Sequence, residues 1–219
     1  MVEIYDAHEQ GEVVKKWLQE NGSAIVIGLV IAFGGLFGFK QWQSWQISNK
    51  QQAFVEFEVM NEFLTAGQLD AALNNFLTLQ KEYPGSPYAA LAGLQMGRAR
   101  LESKQPDLAI DHYRFVLEQG QPKAIRVIAR ERLARTLLGL DRPEEALEIV
   151  QGEVEIVGFE ARYAETRGDI LLALGRNEEA VAAYQEALAA LESGIGDREM
   201  LVIKLQALGV VQPGEASAT

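Results

Sequence analysis

The sequence predicts an all-α protein in which a single N-terminal transmembrane helix is followed by a helical-repeat domain. The first observation behind this prediction is an uncharged apolar stretch at 24–39, AIVIGLVIAFGGLFGF. The second is a helical spacing of apolar residues after residue 50 that repeats at intervals of 34 or 37 residues. The third is that no strand pattern occurs between residues 40 and 210.

The apolar stretch has the length and flanks of a membrane anchor. As a helix it would span about 24 Å, and the segment from Trp17 to Trp42 would cover about 38 Å. A bilayer with its headgroups is about 40–45 Å thick, and tryptophan prefers the headgroup region. We therefore predict an N-terminal tail at 1–21, a transmembrane anchor at 22–42, the repeat domain at 43–211 and a disordered tail at 212–219.

Two other interpretations of the stretch are less consistent with its residues. A core helix of a soluble protein would carry polar residues on one face, and the stretch has none. A cleaved signal peptide has a basic start and a small-residue cleavage site. Here the preceding tail is acidic, and Lys-Gln-Trp-Gln follows Phe39. An uncleaved anchor is therefore the favoured interpretation.

The tail and the anchor each leave one structural question open. Val14, Trp17 and Leu18 lie on one helical face, which predicts either a short amphipathic helix on the membrane surface or an extension of the anchor. Asn21-Gly22 favours a break between the two. Small residues four apart permit close helix packing in a membrane, although glycine is also common in spanning helices. The candidate contact residues are Gly28, Ala32, Gly34 and Gly38.

The repeat is clearest when the domain is aligned on four alanines, Ala72, Ala109, Ala146 and Ala180. A large residue follows each alanine by four positions, in three cases an aromatic one, and a mostly small residue precedes it by twelve. This is the pattern of the tetratricopeptide repeat, a helical hairpin with small residues where its helices cross. We predict about four hairpins and a C-terminal capping helix that begins after Asp197.

Composition and motifs argue against nucleic-acid binding and catalysis. The formal charge is −11, which repels a phosphate backbone, and there is no cysteine. The sequence contains no phosphate-binding loop, no zinc-protease motif and no serine-hydrolase elbow. His112 is expected on the protein surface. We predict a protein that is not an enzyme and binds no cofactor or metal.

In a tetratricopeptide stack, the first helix of each hairpin lines a groove. The alignment predicts that the groove is lined by Phe54, Phe57, Asn61, Leu94, Arg98, Glu131, Arg135, Arg162 and Asp169. Apolar members would bind hydrophobic side chains of a polypeptide, and the arginines would bind carbonyl or carboxylate groups. The alternative is that the two phenylalanines only pack within the protein and the arginines form surface ion pairs.

With both halves described, the chain resembles the YfgM-type ancillary subunits of the bacterial SecYEG translocon. The resemblance is carried by EIYDAHEQ at the start, by VVKKWLQENG and the glycine-rich span after it, by Trp42, by the degenerate repeats and by MLVIKLQALGV at the end. It implies a single-pass inner-membrane protein with a cytoplasmic N-terminus and a periplasmic repeat domain. It also implies association with SecYEG and with PpiD, a membrane-anchored chaperone, to assist newly exported, unfolded polypeptides.

Two other function classes remain open at this stage. A scaffold or assembly factor for another inner-membrane complex would use the same anchor and groove, and its co-purifying partners would distinguish it. An enzyme would require a deep pocket with convergent polar groups.

Overall fold

The computed structural model describes residues 7–151, 158–191 and 197–210, and these form nine α-helices. The predicted disordered tail at 212–219 lies outside the described residues, as do residues 1–6 of the predicted N-terminal tail. The helices are α1 (Ala7–Thr65), α2 (Leu69–Glu82), α3 (Pro87–Glu102), α4 (Pro106–Gln119), α5 (Lys123–Gly139), α6 (Pro143–Val150), α7 (Glu160–Ala173), α8 (Asn177–Ala190) and α9 (Arg198–Ala207). The described residues therefore match the all-α class that the sequence predicts.

The chain divides into two units, Met1–Gln51 and Gln52–Thr219. In the first unit, α1 runs without interruption through Asn21-Gly22, which agrees with the second of the two open interpretations, an extension of the anchor. The Asn21 side-chain amide donates a hydrogen bond to the Trp17 carbonyl, 3.0 Å away, which keeps this residue within the helix. Hence the amphipathic segment extends the apolar helix instead of forming a separate one.

The apolar part of α1 is long and hydrophobic enough to cross a membrane. The candidate span begins at Val26, and none of its most apolar window is buried within the protein. Large apolar side chains such as Val30, Ile31 and Phe37 are more than half exposed. A core helix would have buried these side chains, so that interpretation of the segment is wrong.

The second unit is a stack of helical hairpins. The end of α1 pairs with α2, where Asn75 donates to Glu56 at 2.8 Å and Tyr83 donates to Gln52 at 2.9 Å. The following pairs are α3 with α4, α5 with α6 and α7 with α8. Each hairpin buries apolar residues against the next, because one hairpin alone cannot cover its hydrophobic face.

The predicted repeat register is confirmed in all four hairpins. The four aligned alanines are each fully buried. The large residues four positions later are also buried: Phe76, Tyr113, Val150 and Tyr184. At two crossings the small residue is glycine, and it lies directly under a tyrosine ring: Gly97 under Tyr113 and Gly168 under Tyr184. A large residue on the second helix therefore fills the space that a small residue on the first helix leaves.

The four turns inside the hairpins share one backbone feature. The residue five positions before each alanine has a positive φ, at Gly67 (71°), Lys104 (59°), Asp141 (59°) and Gly175 (72°). The two glycines adopt this conformation without steric cost. Asp141 lies in the turn and is not the N-cap of α6, because the residue before that helix is Arg142.

The last helix covers the open end of the stack. Asp197 accepts a hydrogen bond from the Met200 backbone amide at 3.0 Å and so caps α9, as predicted. Leu201 and Leu205 are buried against α7 and α8, whereas Ile203 is half exposed. α9 therefore takes the place that the first helix of a further hairpin would have.

His112 is a core residue, not the surface histidine that the sequence predicts. It is 8% exposed, and its ring lies edge-on to Phe76 with centroids 4.8 Å apart. Burial lowers the pKa of His112 to about 4, and the neighbouring positive charge of Arg100 acts in the same direction. His112 is therefore neutral in the folded protein at neutral pH.

The glycine–tyrosine crossings predict how the stability of the domain changes when a methyl group is added at a glycine. A Cβ added at Gly168 would lie 2.5 Å from Cε1 of Tyr184, whereas one added at Gly139 would have no atom within 4 Å. We expect Gly168→Ala to lower the free energy of unfolding by about 1–3 kcal/mol through overpacking. Gly139→Ala should leave it unchanged or raise it by up to about 1 kcal/mol. Denaturant unfolding followed by circular dichroism measures both, and equal effects of the two substitutions would show that the register is wrong.

Burial of His112 predicts acid sensitivity. The unfolded chain protonates this residue near its ordinary pKa of 6.5, whereas the folded protein does so only near 4. Its contribution to stability is therefore fully present above pH 6.5 and is lost as the pH falls towards 4, by at most about 3 kcal/mol. In His112→Phe this component disappears, so the loss of stability between pH 7 and pH 4 should be smaller than in the wild type. An identical pH profile in the variant would contradict the prediction.

Candidate polypeptide-binding groove

The first helices of successive hairpins lie side by side and form one face, which we call the groove. The Tyr163 hydroxyl donates to the Val127 carbonyl at 2.8 Å, which joins α7 to α5. Earlier in the stack, the rings of Phe54 and Phe57 lie 5.3 and 5.8 Å from that of Tyr88, which joins α1 to α3. The groove therefore consists of residues 52–65 of α1 together with α3, α5 and α7.

The middle of the groove contains an open cavity of about 480 Å³, which we call the arginine cavity. α3, α5 and α7 contribute to its walls, together with Pro106 and Tyr113 of α4. Four of its lining residues are arginines and one is a glutamate, a formal charge of +3 in a chain of −11. The lining residues are Arg98, Leu101, Pro106, Tyr113, Glu131, Arg132, Arg135, Thr136, Gly139, Leu140 and Arg162.

Glu131 is the anionic centre of the arginine cavity. Its side chain is only 7% exposed, and its Oε1 atom lies 2.8 Å from Nε of Arg135 and 3.3 Å from Nε of Arg162. Burial of a carboxylate requires such positive partners. Arg135 and Arg162 thus share one oxygen of one carboxylate, while their side chains remain 42% and 62% exposed.

The other two arginines have different partners. Arg98 lies 2.7 Å from Glu102, one turn further along α3, and this pair is largely exposed. The bond to Glu102 raises the pKa of Arg98. Arg132 lies close enough to Tyr113 to hydrogen-bond its hydroxyl, but burial dominates and raises the pKa of Tyr113. Arg98 therefore remains charged across the physiological pH range.

A second cavity, of about 640 Å³, adjoins the arginine cavity. The two cavities share Arg135 and Arg162, and we call the second one the α9 cavity because α9 forms one wall. Its walls are mostly apolar, with two carboxylates. The lining residues are Arg135, Gly158, Phe159, Ala161, Arg162, Glu165, Leu191, Asp197, Met200 and Leu201. Together the two cavities form a path along the groove with arginines at its centre.

Charged contacts hold α9 at this end of the groove. The Lys204 ammonium lies 2.7 Å from Glu165 and 2.7 Å from the nearer oxygen of Asp169, both on α7. Asp169 also accepts a hydrogen bond from the Tyr184 hydroxyl at 2.7 Å. Burial and the contact with Asp169 raise the pKa of Tyr184. These contacts fix the wall of the α9 cavity.

Comparison with known proteins agrees with this architecture along nearly the whole chain. The family model of the tetratricopeptide repeat-like domain matches residues 15–210. A protein of Aggregatibacter actinomycetemcomitans named "Ancillary SecYEG translocon subunit" is 31% identical over 208 residues, which cover 93% of this chain and 99% of the relative. The chain belongs to this family of ancillary SecYEG translocon subunits. An Escherichia coli (strain K12) protein of the same name is 26% identical over 217 residues, 95% of this chain and 100% of the relative.

The fold of this family member also resembles a solved structure with low sequence identity. The protein described as MamA 41-end from Desulfovibrio magneticus RS-1 aligns with a TM-score of 0.52 at 18% identity. The alignment covers 72% of this chain and 89% of that protein. At this identity the likeness concerns the fold alone.

Four of the nine predicted groove residues meet in the arginine cavity of this family member: Arg98, Glu131, Arg135 and Arg162. Phe54 is 43% exposed and accessible, and Asn61 is partly exposed. Two of the predicted groove residues lie in the core instead, because Phe57 is only 9% and Leu94 only 6% exposed. Asp169 is engaged by Lys204 and Tyr184.

Several residues of the site do not follow from the repeat alignment. Arg132 precedes Arg135 by three positions on α5. The helical period therefore places the two side chains next to each other on the helix surface. The repeat pattern gives Tyr113 only a packing role, and it does not point to Leu101 or to the α9 residues Met200 and Leu201 as groove residues. Their inclusion depends on how α4 and α9 approach α3 and α7, which no local pattern specifies.

The candidate contact residues in the span all lie on the surface of α1. An added Cβ at Gly28, Gly34 or Gly38 would have no neighbouring atom within 4 Å, and Ala32 is exposed. These positions are sterically open to another helix, and their role in such a contact remains a prediction. Across residues 7–151, 158–191 and 197–210, no cluster of three or more His, Cys, Asp or Glu side chains is arranged to hold a metal ion.

Proposed function

We propose that this protein is a membrane-anchored, polypeptide-binding subunit of the Sec translocon that assists newly exported proteins. The observation that carries the proposal is the match to proteins named ancillary SecYEG translocon subunit over 99–100% of their length. Such a match includes the apolar helix as well as the repeat domain. The proposed function therefore combines attachment to the membrane beside the channel with a domain that binds other proteins.

We further propose that the protein crosses the bacterial inner membrane once, with its N-terminus in the cytoplasm and its repeat domain in the periplasm. An exposed apolar helix near the N-terminus supports one crossing. The resemblance to the family supports the orientation. In this arrangement the groove is on the side where exported chains emerge, and a membrane-anchored chaperone similar to PpiD is the proposed partner.

The chemistry of the groove suits extended or partly unfolded polypeptide. Exposed apolar side chains occur along it, including Phe54 (43% exposed), Leu101 (38%) and Met200 (44%). Between them lie the arginines, which can bind carbonyl and carboxylate groups. Alternating apolar and hydrogen-bonding sites of this kind recognise a polypeptide without requiring one sequence. The proposed activity is binding without catalysis, and it requires no cofactor.

Protease treatment of spheroplasts tests the proposed topology. We expect externally added protease to degrade the repeat domain and to leave an N-terminal epitope tag protected. The untreated chain should remain in the membrane at its full mass, near 24.2 kDa. Protection of the repeat domain would reverse the orientation. A mature form that begins near Gln41 would show instead that the segment is a cleaved signal.

Site-specific photo-crosslinking in cells tests whether exported chains use the groove. Leu101 in the arginine cavity and Leu77 on α2 are 38% and 48% exposed, so they form a matched pair of leucines inside and outside the site. We expect a crosslinker at 101, but not at 77, to capture a stalled export substrate. Capture only at 77 would place the site on the opposite face. Co-purification of another membrane complex without translocon subunits would favour the scaffold alternative.

A further inference from the structure

We infer that the arginine cavity binds the side-chain carboxylate of an aspartate or glutamate within an extended client segment. This inference rests on the proposed function, because it assumes that a polypeptide occupies the groove. It adds a chemical preference to that function. The domain would favour acidic stretches of its clients although the protein itself is acidic.

The positive charge of the arginine cavity favours an anionic ligand. The whole chain has a formal charge of −11, whereas the lining of the arginine cavity has four arginines and one glutamate. Positive charge lining a cleft with low-dielectric walls concentrates anions there. The cavity is therefore selective for negative groups against the field of the rest of the protein.

Arg135 and Arg162 share the single carboxylate of Glu131. At two other positions in the domain, Arg142 and Arg176, an arginine has a carboxylate to itself and binds it through two nitrogens. Arg142 contacts Glu145 through Nε and a terminal nitrogen at 2.6 Å each. Arg176 binds Glu179 in the same way, at 2.7 and 2.6 Å.

The Glu131 site has a different geometry. Arg135 and Arg162 both approach Glu131 Oε1 through Nε, at 2.8 and 3.3 Å. A guanidinium has five N–H donors in a planar fork, so these Nε contacts leave the outer nitrogens available to a second carboxylate. The two guanidiniums bring two positive charges to one negative charge. A carboxylate from a bound chain would balance the excess.

The shape of the path formed by the two cavities favours a side chain within a segment over a chain terminus. A cavity of about 480 Å³ is much larger than one carboxylate, and it lies in the size range of ligand sites. It continues past Arg135 and Arg162 into the α9 cavity, whose walls include Phe159, Met200 and Leu201. The arginine pair therefore has space on both sides. This arrangement suits a side chain in the middle of a segment, with an apolar neighbour in the α9 cavity, better than it suits a chain terminus.

Binding of matched peptides to the full-length protein in detergent tests the inference. The probe is a labelled, C-terminally amidated extended peptide that contains leucines and one internal glutamate. The comparison peptides replace that glutamate by glutamine, with either an amidated or a free C-terminus. We expect the glutamate peptide to bind at least tenfold more tightly than the amidated glutamine peptide. Added salt should reduce the difference.

Two double variants with the same change of charge locate the site. Arg98→Gln with Arg162→Gln removes two exposed arginines from the cavity and leaves Arg135 beside Glu131. Arg142→Gln with Arg176→Gln removes two arginines that do not line it. We expect the preference for glutamate to disappear in the first variant and to persist in the second. Circular dichroism verifies that both variants fold.

Each of the remaining outcomes would contradict a specific part of the inference or the proposed function. Equal binding of the glutamate and glutamine peptides by the wild type would refute the carboxylate preference and leave the groove as a polypeptide site. Equal loss of the preference in both double variants would refute its location. Tight binding only of the peptide with a free C-terminus would show that the ligand is a terminus. Binding of no peptide would refute the proposed function together with the inference.

Discussion

The repeat domain depends on how closely the two helices of each hairpin approach. At two crossings a tyrosine ring lies directly on a glycine, and these tyrosines are among the largest fully buried side chains of the domain. A glycine has no Cβ, so the two helices come close enough for Tyr113 and Tyr184 to fill the space between them. The packing of each hairpin then sets the position at which the next one begins.

The groove is a consequence of that packing. Because successive hairpins are offset in the same way, α3, α5 and α7 lie side by side, and residues separated by one repeat become neighbours. Arg162 and Glu131, 31 positions apart, come into contact in this way. The arginine cavity therefore forms from a repeating scaffold whose repeats differ in the side chains they present, as in other solenoid proteins.

The sequence predicts the elements that depend on local periodicity. The four buried alanines, the large residues after them and the cap at Asp197 all follow from spacings within about twelve residues. The sequence does not predict the burial of a residue that depends on partners far away along the chain. His112 is buried because α2 brings Phe76 against it, and Leu94 belongs to the core because of its neighbours in the stack.

In the site, too, some residue positions follow from the repeat pattern, whereas the contacts between distant elements do not. The positions of Arg98 and Arg135 follow from the repeat register, since each comes directly after a small crossing residue, Gly97 or Ala134. The shared carboxylate of Glu131 does not follow from it, because charged side chains have several possible partners. Nor does the α9 cavity, whose wall depends on the way Lys204 docks on α7.

The position of α9 links ligand occupancy to the cohesion of the C-terminal end. Leu205 and Lys204 fasten this helix to the stack, while Met200 and Leu201 of the same helix form a wall of the α9 cavity. Under the proposed function, a chain segment in this cavity would contact the α9 wall only while the helix is docked, so by thermodynamic linkage it would stabilise docking. Fraying of the terminus and release of the bound segment would then be coupled, and local opening of the last helix would be a route by which the segment leaves the groove.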